Sequence, residues 1–176
     1  GYPALSPSGA GLAWVEWQQP FMPWERSQLW LAAVSPEGAL TGARAVAGSI
    51  PGEGEAVSVF QPLWAGSDLV VANDRSGFWN LERWANAAAT PPAAPADWQA
   101  LLPQEAEFAM PQWVFGMATT AWDGERLLAR GSRLVRDHGH QRREHRDGTW
   151  LRRRLDEHGD CGRKGASAHG DRHAAR

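Results

Sequence analysis

Short apolar runs rich in aromatic residues recur through the first 127 residues, separated by residues that favour turns. Each run has the length of a β-strand, and none keeps the i, i+3, i+4, i+7 spacing of an amphipathic helix over three turns. The intervening Pro, Gly, Asn and Asp residues preset φ, tolerate positive φ or cap the neighbouring backbone. The pattern predicts an all-β fold with hairpin connections. The predicted strands are 12–17, 28–34, 43–47, 57–60, 69–72, 79–84 and 98–102.

The strand pattern also repeats along the chain. A Pro followed by a large apolar residue recurs at 2–5, 61–64 and 110–113, at spacings of 59 and 49 residues. A second shared element occurs at 28–30 and 79–81. Repeats of roughly 40–50 residues that hold several short strands are typical of propeller blades, and a propeller has about four to eight of them. We therefore predict an incomplete β-propeller of two to three antiparallel blades.

Tryptophans occupy alternating positions within these runs, as at Trp14, Trp30, Trp64 and Trp84. Large rings fill the space between packed sheets, and alternation directs them to one face. We interpret these residues as core rather than as a surface that stacks on sugars or bases.

Charge and composition change abruptly near Leu127. Up to that residue there are five basic and 13 acidic side chains, whereas 128–176 has 13 basic and seven acidic ones and all six His residues. Only 12 of those last 49 residues are apolar, too few to form a core. We therefore predict a partial propeller domain at 1–127 and a largely disordered basic tail at 128–176.

Three interpretations of the tail are open. Out-of-frame translation of GC-rich coding sequence, with a frameshift between about Leu127 and Arg133, explains the loss of periodicity best. A basic extension that binds nucleic acid is a second interpretation, but seven acidic residues interrupt its positive charge. A metal site is the third, but the spacing matches neither a zinc finger nor H-E-x-x-H. Its candidate ligands are His138, His140, His145, Cys161, His169 and His173.

Several classes of protein are disfavoured by the same sequence. No apolar run approaches the roughly 18 residues of a membrane helix, and Cys161 has no partner for a disulfide. No charged-then-apolar leader is present in these 176 residues. We expect a cytoplasmic protein with no cofactor, no metal, no membrane partner and no nucleic-acid partner.

An ordered set of motifs resembles the propeller domain of the prolyl oligopeptidase family of serine peptidases, closest to the bacterial acylaminoacyl-peptidase and dipeptidyl-aminopeptidase-like branch. The resemblance covers roughly residues 2–127. The motifs are MPW at 22–24, QLWL at 28–31, FQPLW at 60–64, NDRSGFWNL at 73–81, EAEF at 105–108 and PQWVFGM at 111–117.

The resemblance implies a propeller that covers an α/β-hydrolase domain and restricts access of peptides to its Ser-Asp-His triad. It therefore implies a non-catalytic, substrate-gating role, with the hydrolase domain of the same parent chain and a peptide substrate as partners. The nucleophile motif G-x-S-x-G is absent from this sequence, since the stretch 165–169 (GASAH) lacks the second Gly. We assign no catalytic residue to this chain.

Two carboxylates are the candidate site residues. In aminopeptidase-type members of the family, propeller carboxylates pair with the free amino group of the substrate, and Glu105 and Glu107 adjoin the 111–117 motif. Alternate spacing would place both on one strand face. The other interpretation is two solvated carboxylates at a strand end. For the whole chain, the alternative functions are a free-standing propeller-repeat binding module without enzymatic activity and a basic nucleic-acid adaptor.

Overall fold

The computed structural model describes residues 1–50, 56–89 and 96–132 with their side chains, and the backbone of three further strands at 135–137, 140–142 and 149–154. Every regular element in these ranges is a β-strand, and all paired strands are antiparallel. The predicted all-β class is therefore confirmed. The metal ligands predicted for the tail lie outside the residues described with side chains, whereas residues 128–131, which were predicted to be disordered, belong to a strand.

The first sheet is a four-stranded meander that follows chain order. Tight turns connect β1 to β2 at 6–9 and β3 to β4 at 35–38. The ladder shifts register after Leu29 and again after Leu31, so β3 and β4 are bulged against each other. Its strands are β1 (Ala4–Leu5), β2 (Gly11–Glu16), β3 (Gln28–Val34) and β4 (Leu40–Gly48).

The second sheet repeats this arrangement with β5 (Val59–Ala65), β6 (Asp68–Asn73), β7 (Asn80–Trp84) and β8 (Trp98–Ala100). Pro62 lies inside β5 at a register shift between Phe60 and Leu63. A proline has no N–H for a sheet ladder, so a bulge on an edge strand accommodates it. For this reason β5 extends beyond the predicted run 57–60.

The third sheet joins strands from both sides of the predicted domain boundary. A hairpin of β9 (Thr120–Trp122) and β10 (Arg126–Gly131) is followed by a separate hairpin of β11 (Val135–Asp137) and β12 (His140–Arg142), and β13 (Thr149–Arg154) then pairs with β10. Leu127 and Ala129 are buried side by side along β10. The boundary after Leu127 stays a prediction.

The three sheets pack face to face in chain order. One core lies between the first and second sheets and includes Val15 and Leu29 from the first. The other core lies between the second and third sheets and includes Phe108 and Leu127. The first strands contact each other in the same order, β1 against β5 and β5 against β9. The described sheets do not close into a ring, and the architecture is that of an incomplete propeller.

Strand β6 explains why the second sheet is central. All six of its residues are buried, and they alternate between the two cores. Leu69 and Val71 enter the first core, whereas Val70 and Ala72 enter the second. A strand buried on both faces reads as a continuous apolar run, and a sheet of this kind needs a neighbour on each side.

The blade repeat is correct at two of its three predicted positions. Tyr2 and Gln61 each precede a proline at the start of a first strand, and both adopt positive φ, 55° and 49°. The third position is wrong, because residues 110–113 form no strand and Trp113 is exposed. The third sheet begins instead at β9. There Trp122 pairs with Leu127 as Trp64 pairs with Leu69, so both members of the pair recur after 58 residues.

The tryptophans divide between the core and an open face. Trp64 and Trp84 are buried in the first core, as predicted. Trp14 and Trp30 are only partly buried and stack on each other, with ring centroids 6.2 Å apart. They lie on the face of the first sheet that points away from the second, because Ala13 and Val15 point inwards on the same strand.

Within the described ranges, no helix is long and apolar enough to cross a membrane.

Candidate functional site

The chain start, two loops within the sheets and the loop between the second and third sheets gather at one end of the molecule, where β1, β5 and β9 begin. Two side-chain contacts show that these strand starts adjoin. The rings of Tyr2 and Phe60 meet at 5.4 Å, and the Gln61 carboxamide accepts hydrogen bonds from the N–H groups of Thr119 and Thr120. We call this the entry end. Its loops are residues 1–3, 17–27, 74–79 and 101–119.

Both predicted site residues lie at the entry end, on the segment between β8 and β9. Glu107 forms an isolated antiparallel bridge with Ser132, just beyond β10. Its carboxylate oxygen Oε2 accepts a hydrogen bond of 2.8 Å from the N–H of Trp79. Since the Trp79 carbonyl also accepts from the N–H of Phe108, this contact fixes the loop between β6 and β7 against the third sheet. Glu107 therefore has a partner inside the protein.

Glu105 is more accessible. It is exposed, whereas the next residue, Ala106, is completely buried. The backbone on its N-terminal side is fixed by Asn80, whose Oδ1 accepts from the N–H of Gln104 at 2.9 Å and whose Nδ2 donates to the Gln104 carbonyl at 3.0 Å. Glu105 and Glu107 alternate with buried Ala106 and Phe108, although neither residue lies in a regular strand. The two carboxylates are unequal, because one is anchored and the other faces solvent.

A third carboxylate, Asp74, supports the loop between β6 and β7. Its Oδ1 accepts from the N–H of Ser58 at 2.7 Å, and its carbonyl accepts from the N–H of Gly77 at 2.8 Å. Burial raises the pKa of Asp74, and the Ser58 N–H opposes part of that shift. Gly77 has φ of 86°, a value that side chains disfavour. The loop at 73–77 is thus a turn tied by side-chain to backbone bonds.

The most exposed apolar group in the described structure lies beside these carboxylates, on residues 110–117, which we call the aromatic strap. Trp113, Val114 and Phe115 are 71%, 64% and 74% exposed. The strap is nevertheless held in place. Nε2 of buried Gln112 donates to the Val59 carbonyl at 3.1 Å, and the Tyr2 hydroxyl donates to the Val114 carbonyl at 3.1 Å.

Ring contacts extend the strap from the third sheet back to the first. The ring centroid of Trp113 lies 4.4 Å from that of Trp24. The ring centroid of Phe115 lies 6.3 Å from that of Trp17 and 6.4 Å from that of Tyr2. The repeat pattern predicts a blade start at 110–113 and does not indicate this surface. The sequence does contain a feature that points to an apolar surface, since residues 108–122 contain no charged side chain.

The other polar contacts of the described residues stabilise the fold. Asp68 and Arg83 form a nearly buried ion pair, in which the Arg83 Nε donates to Oδ2 at 2.6 Å, and Asp68 Oδ1 accepts from the N–H of Asn86. A cavity of about 460 Å³ between β4 and β8 is lined in part by Arg44, Arg75 and Trp98. Among the described side chains no group of His, Cys, Asp and Glu could hold a metal ion.

The fold and the site thus define a class: an open assembly of three propeller-like sheets, with carboxylates and an aromatic surface at one end. No family model matches the chain, and no curated protein matches it. Solved structures do match.

A puromycin-hydrolyzing peptidase from Mycobacterium tuberculosis is 36% identical over 73% of this chain, with a TM-score of 0.61. A puromycin hydrolase is 33% identical over 73% of the chain, with a TM-score of 0.62, and a mutant of puromycin hydrolase complexed with PGG is 34% identical over 73%, with a TM-score of 0.60.

The match covers 18% of each of those three proteins, so the present chain corresponds to a small part of their length. At this level of identity the likeness extends beyond the fold. It agrees with the resemblance of residues 2–127 to the prolyl oligopeptidase family of peptidases.

Proposed function

We propose that this chain is part of the substrate-gating propeller of a prolyl oligopeptidase-type serine peptidase of the acylaminoacyl-peptidase or dipeptidyl-aminopeptidase-like branch. The observation that carries the proposal is the similarity to puromycin-hydrolyzing peptidases over 73% of the chain. The three open sheets support it, because such sheets need further neighbours to cover their outer faces.

In this proposal the chain does no bond chemistry itself. Hydrolysis belongs to an α/β-hydrolase domain of the parent protein, which would supply the Ser-Asp-His triad. The propeller limits entry to short peptides or chain ends, since a rigid ring of sheets excludes folded proteins. A cytoplasmic location completes the proposal, and cell fractionation with an antibody to this segment tests it.

We assign the binding of the substrate's amino group to Glu105, with Glu107 as the residue that positions it. Glu105 is exposed beside a segment whose backbone is fixed by Asn80. One carboxylate oxygen of Glu107 already accepts a hydrogen bond from the Trp79 N–H. A carboxylate held on a rigid backbone and open to solvent can pair with a peptide ammonium group through charge-assisted hydrogen bonds.

The gating role is tested in the full-length parent enzyme. The assay compares kcat/KM for a short peptide with kcat/KM for a long unfolded polypeptide that carries the same cleavage site. A strong preference for the short peptide is expected. Equal rates would refute gating, and no hydrolysis of either substrate would favour a binding module without enzymatic activity.

The amine site is tested in the same protein with Glu105→Gln and Glu107→Gln, alone and together. Removing a hydrogen-bonded charge costs roughly 1.5–3 kcal/mol, or about 10- to 100-fold in kcat/KM. That loss is expected for peptides with a free amino group and not for their N-acetylated forms. Glu125→Gln is the matched control, because Glu125 is exposed in the β9–β10 hairpin at the opposite end. Unchanged selectivity in the double variant would refute the assignment.

A further inference from the structure

The aromatic strap presents a large apolar surface at the entry end. From the exposed fractions of its three central side chains and typical side-chain areas, it offers roughly 400 Å² to solvent. This is the size of the largest apolar patch on a typical monomer, and such patches commonly mark interaction sites. No charged residue interrupts the sequence between Phe108 and Trp122.

The strap is also organised before any partner binds. Gln112 and Tyr2 fix its backbone through hydrogen bonds, and Trp24 supports the ring of Trp113. The loop that carries Trp24 is itself attached, since the Ser58 hydroxyl donates to the carbonyl of Pro23. Interfaces gain affinity from aromatic anchors that are held in place in the free protein, because little side-chain entropy is then lost on binding.

The geometry favours a protein surface over a small ligand. Ligand pockets are concave and enclose most of the molecule they bind. The central side chains of the strap instead project into solvent, and the cavities between β4 and β8 and beside β3 are lined by other residues. A projecting apolar ridge fits into a groove of another folded domain.

We propose that the aromatic strap is the docking surface for the α/β-hydrolase domain of the same protein, and that it holds the entry end over the active site. This inference rests on the proposed function. Because the matched peptidases contain much more chain than this segment, a protein of that class has a covalently linked domain available. A linked domain has an effective concentration of the order of millimolar, which favours it over a second copy of this chain. The strap also adjoins Glu105 and Glu107, the carboxylates assigned to the substrate.

The test uses the full-length protein with Trp113→Ser and Phe115→Ser combined. Both side chains are mostly exposed, so the variant is expected to fold, and far-UV circular dichroism checks this. Leu40→Ser is the matched control, because Leu40 is 49% exposed and lies at the other end of the first sheet. The readouts are the number of unfolding transitions in calorimetry, the preference for short over long substrates, and the molar mass in solution.

We expect the double variant to lose coupling between the two domains, so that one transition becomes two, and to cleave the long substrate about tenfold faster relative to the short one. Leu40→Ser should behave as the wild type. If the wild type gates substrates and the double variant keeps both the preference and the single transition, the docking inference is wrong while the proposed function stands. A selective rise in KM for small aromatic substrates, or dissociation of a wild-type dimer, would also overturn it. A wild type without peptidase activity would instead refute the proposed function.

Discussion

Two phenylalanines of one loop provide a stringent test of the packing described above. Phe108 and Phe115 both lie between β8 and β9, but Phe108 is completely buried and Phe115 is 74% exposed. Phe108 packs against Gly131 of β10 so closely that a Cβ atom at Gly131 would lie 2.8 Å from its Cε1. The ring is therefore tightly packed, and replacing it with a smaller side chain leaves a cavity between the second and third sheets.

The expected magnitudes of the two changes differ severalfold. Phe108→Ala removes a fully buried ring and should lower the free energy of unfolding by roughly 3–5 kcal/mol. Phe115→Ala makes the same chemical change at an exposed position and should cost less than about 0.5 kcal/mol. At roughly 2–4 °C per kcal/mol for a chain of this size, Phe108→Ala should lower Tm by about 10 °C.

Urea titration of the 176-residue chain, followed by tryptophan fluorescence, measures both changes. The m-value serves as the control, because a constant m-value shows that the variants unfold from a comparably folded state. Equal losses for the two variants, or a loss below about 1 kcal/mol for Phe108→Ala, would contradict a core formed between the second and third sheets.

Three further changes probe single contacts, each by urea titration. Burial raises the pKa of Asp74, so its protonated form favours folding; that contribution is complete below the unfolded pKa of 3.8 and is lost as pH rises through the raised folded pKa. Asp74→Asn should therefore be the more stable protein at neutral pH and lose this advantage in acid, and a pH-independent difference would contradict the assignment. Gln61→Ala removes the carboxamide that both accepts from and donates to Thr120, and a loss of roughly 2 kcal/mol is expected. Arg83→Met leaves the buried Asp68 carboxylate without its positively charged partner and should cost roughly 3 kcal/mol, part of which Asp68→Asn should restore.

Local sequence was sufficient to predict most strands of the first two sheets. The run at 28–34 coincides with β3, and the run at 69–72 lies inside β6, because both are bounded by turn residues that leave few alternatives. Strand β5 was predicted too short because Pro62 looks like a strand terminator. The bulge at Phe60 and Leu63 that accommodates this proline depends on pairing with β6, which local sequence does not encode.

The third blade was misplaced for a related reason. The Met110-Pro111 dipeptide shares its proline with the two genuine blade starts, but neither of its residues adopts positive φ and no strand follows directly. What defines a blade start in this fold is the hairpin beyond it. Trp64 with Leu69 and Trp122 with Leu127 keep the same pairing and the same spacing, whereas the proline does not recur.

The environments of the two candidate carboxylates, Glu105 and Glu107, could not be predicted from local sequence. Alternate spacing predicts Glu105 and Glu107 on one strand face, but neither residue lies in a regular strand, and Glu107 forms only an isolated bridge. Their unequal environments follow from Trp79, which is 28 residues away from Glu107 and reaches it only because β6 and β7 return the chain to the entry end.

The aromatic strap shows the same dependence on distant partners, since Gln112 is held by β5 and Val114 by Tyr2 at the start of the first sheet. Apolar residues between two strands are ordinarily buried by the nearest sheet, and here that space is already occupied by Phe108. The strap must then leave its three central side chains in solvent or cover them with another domain. The proposed docking corresponds to the second arrangement, and an uncharged, exposed apolar surface of this size commonly marks an interaction site.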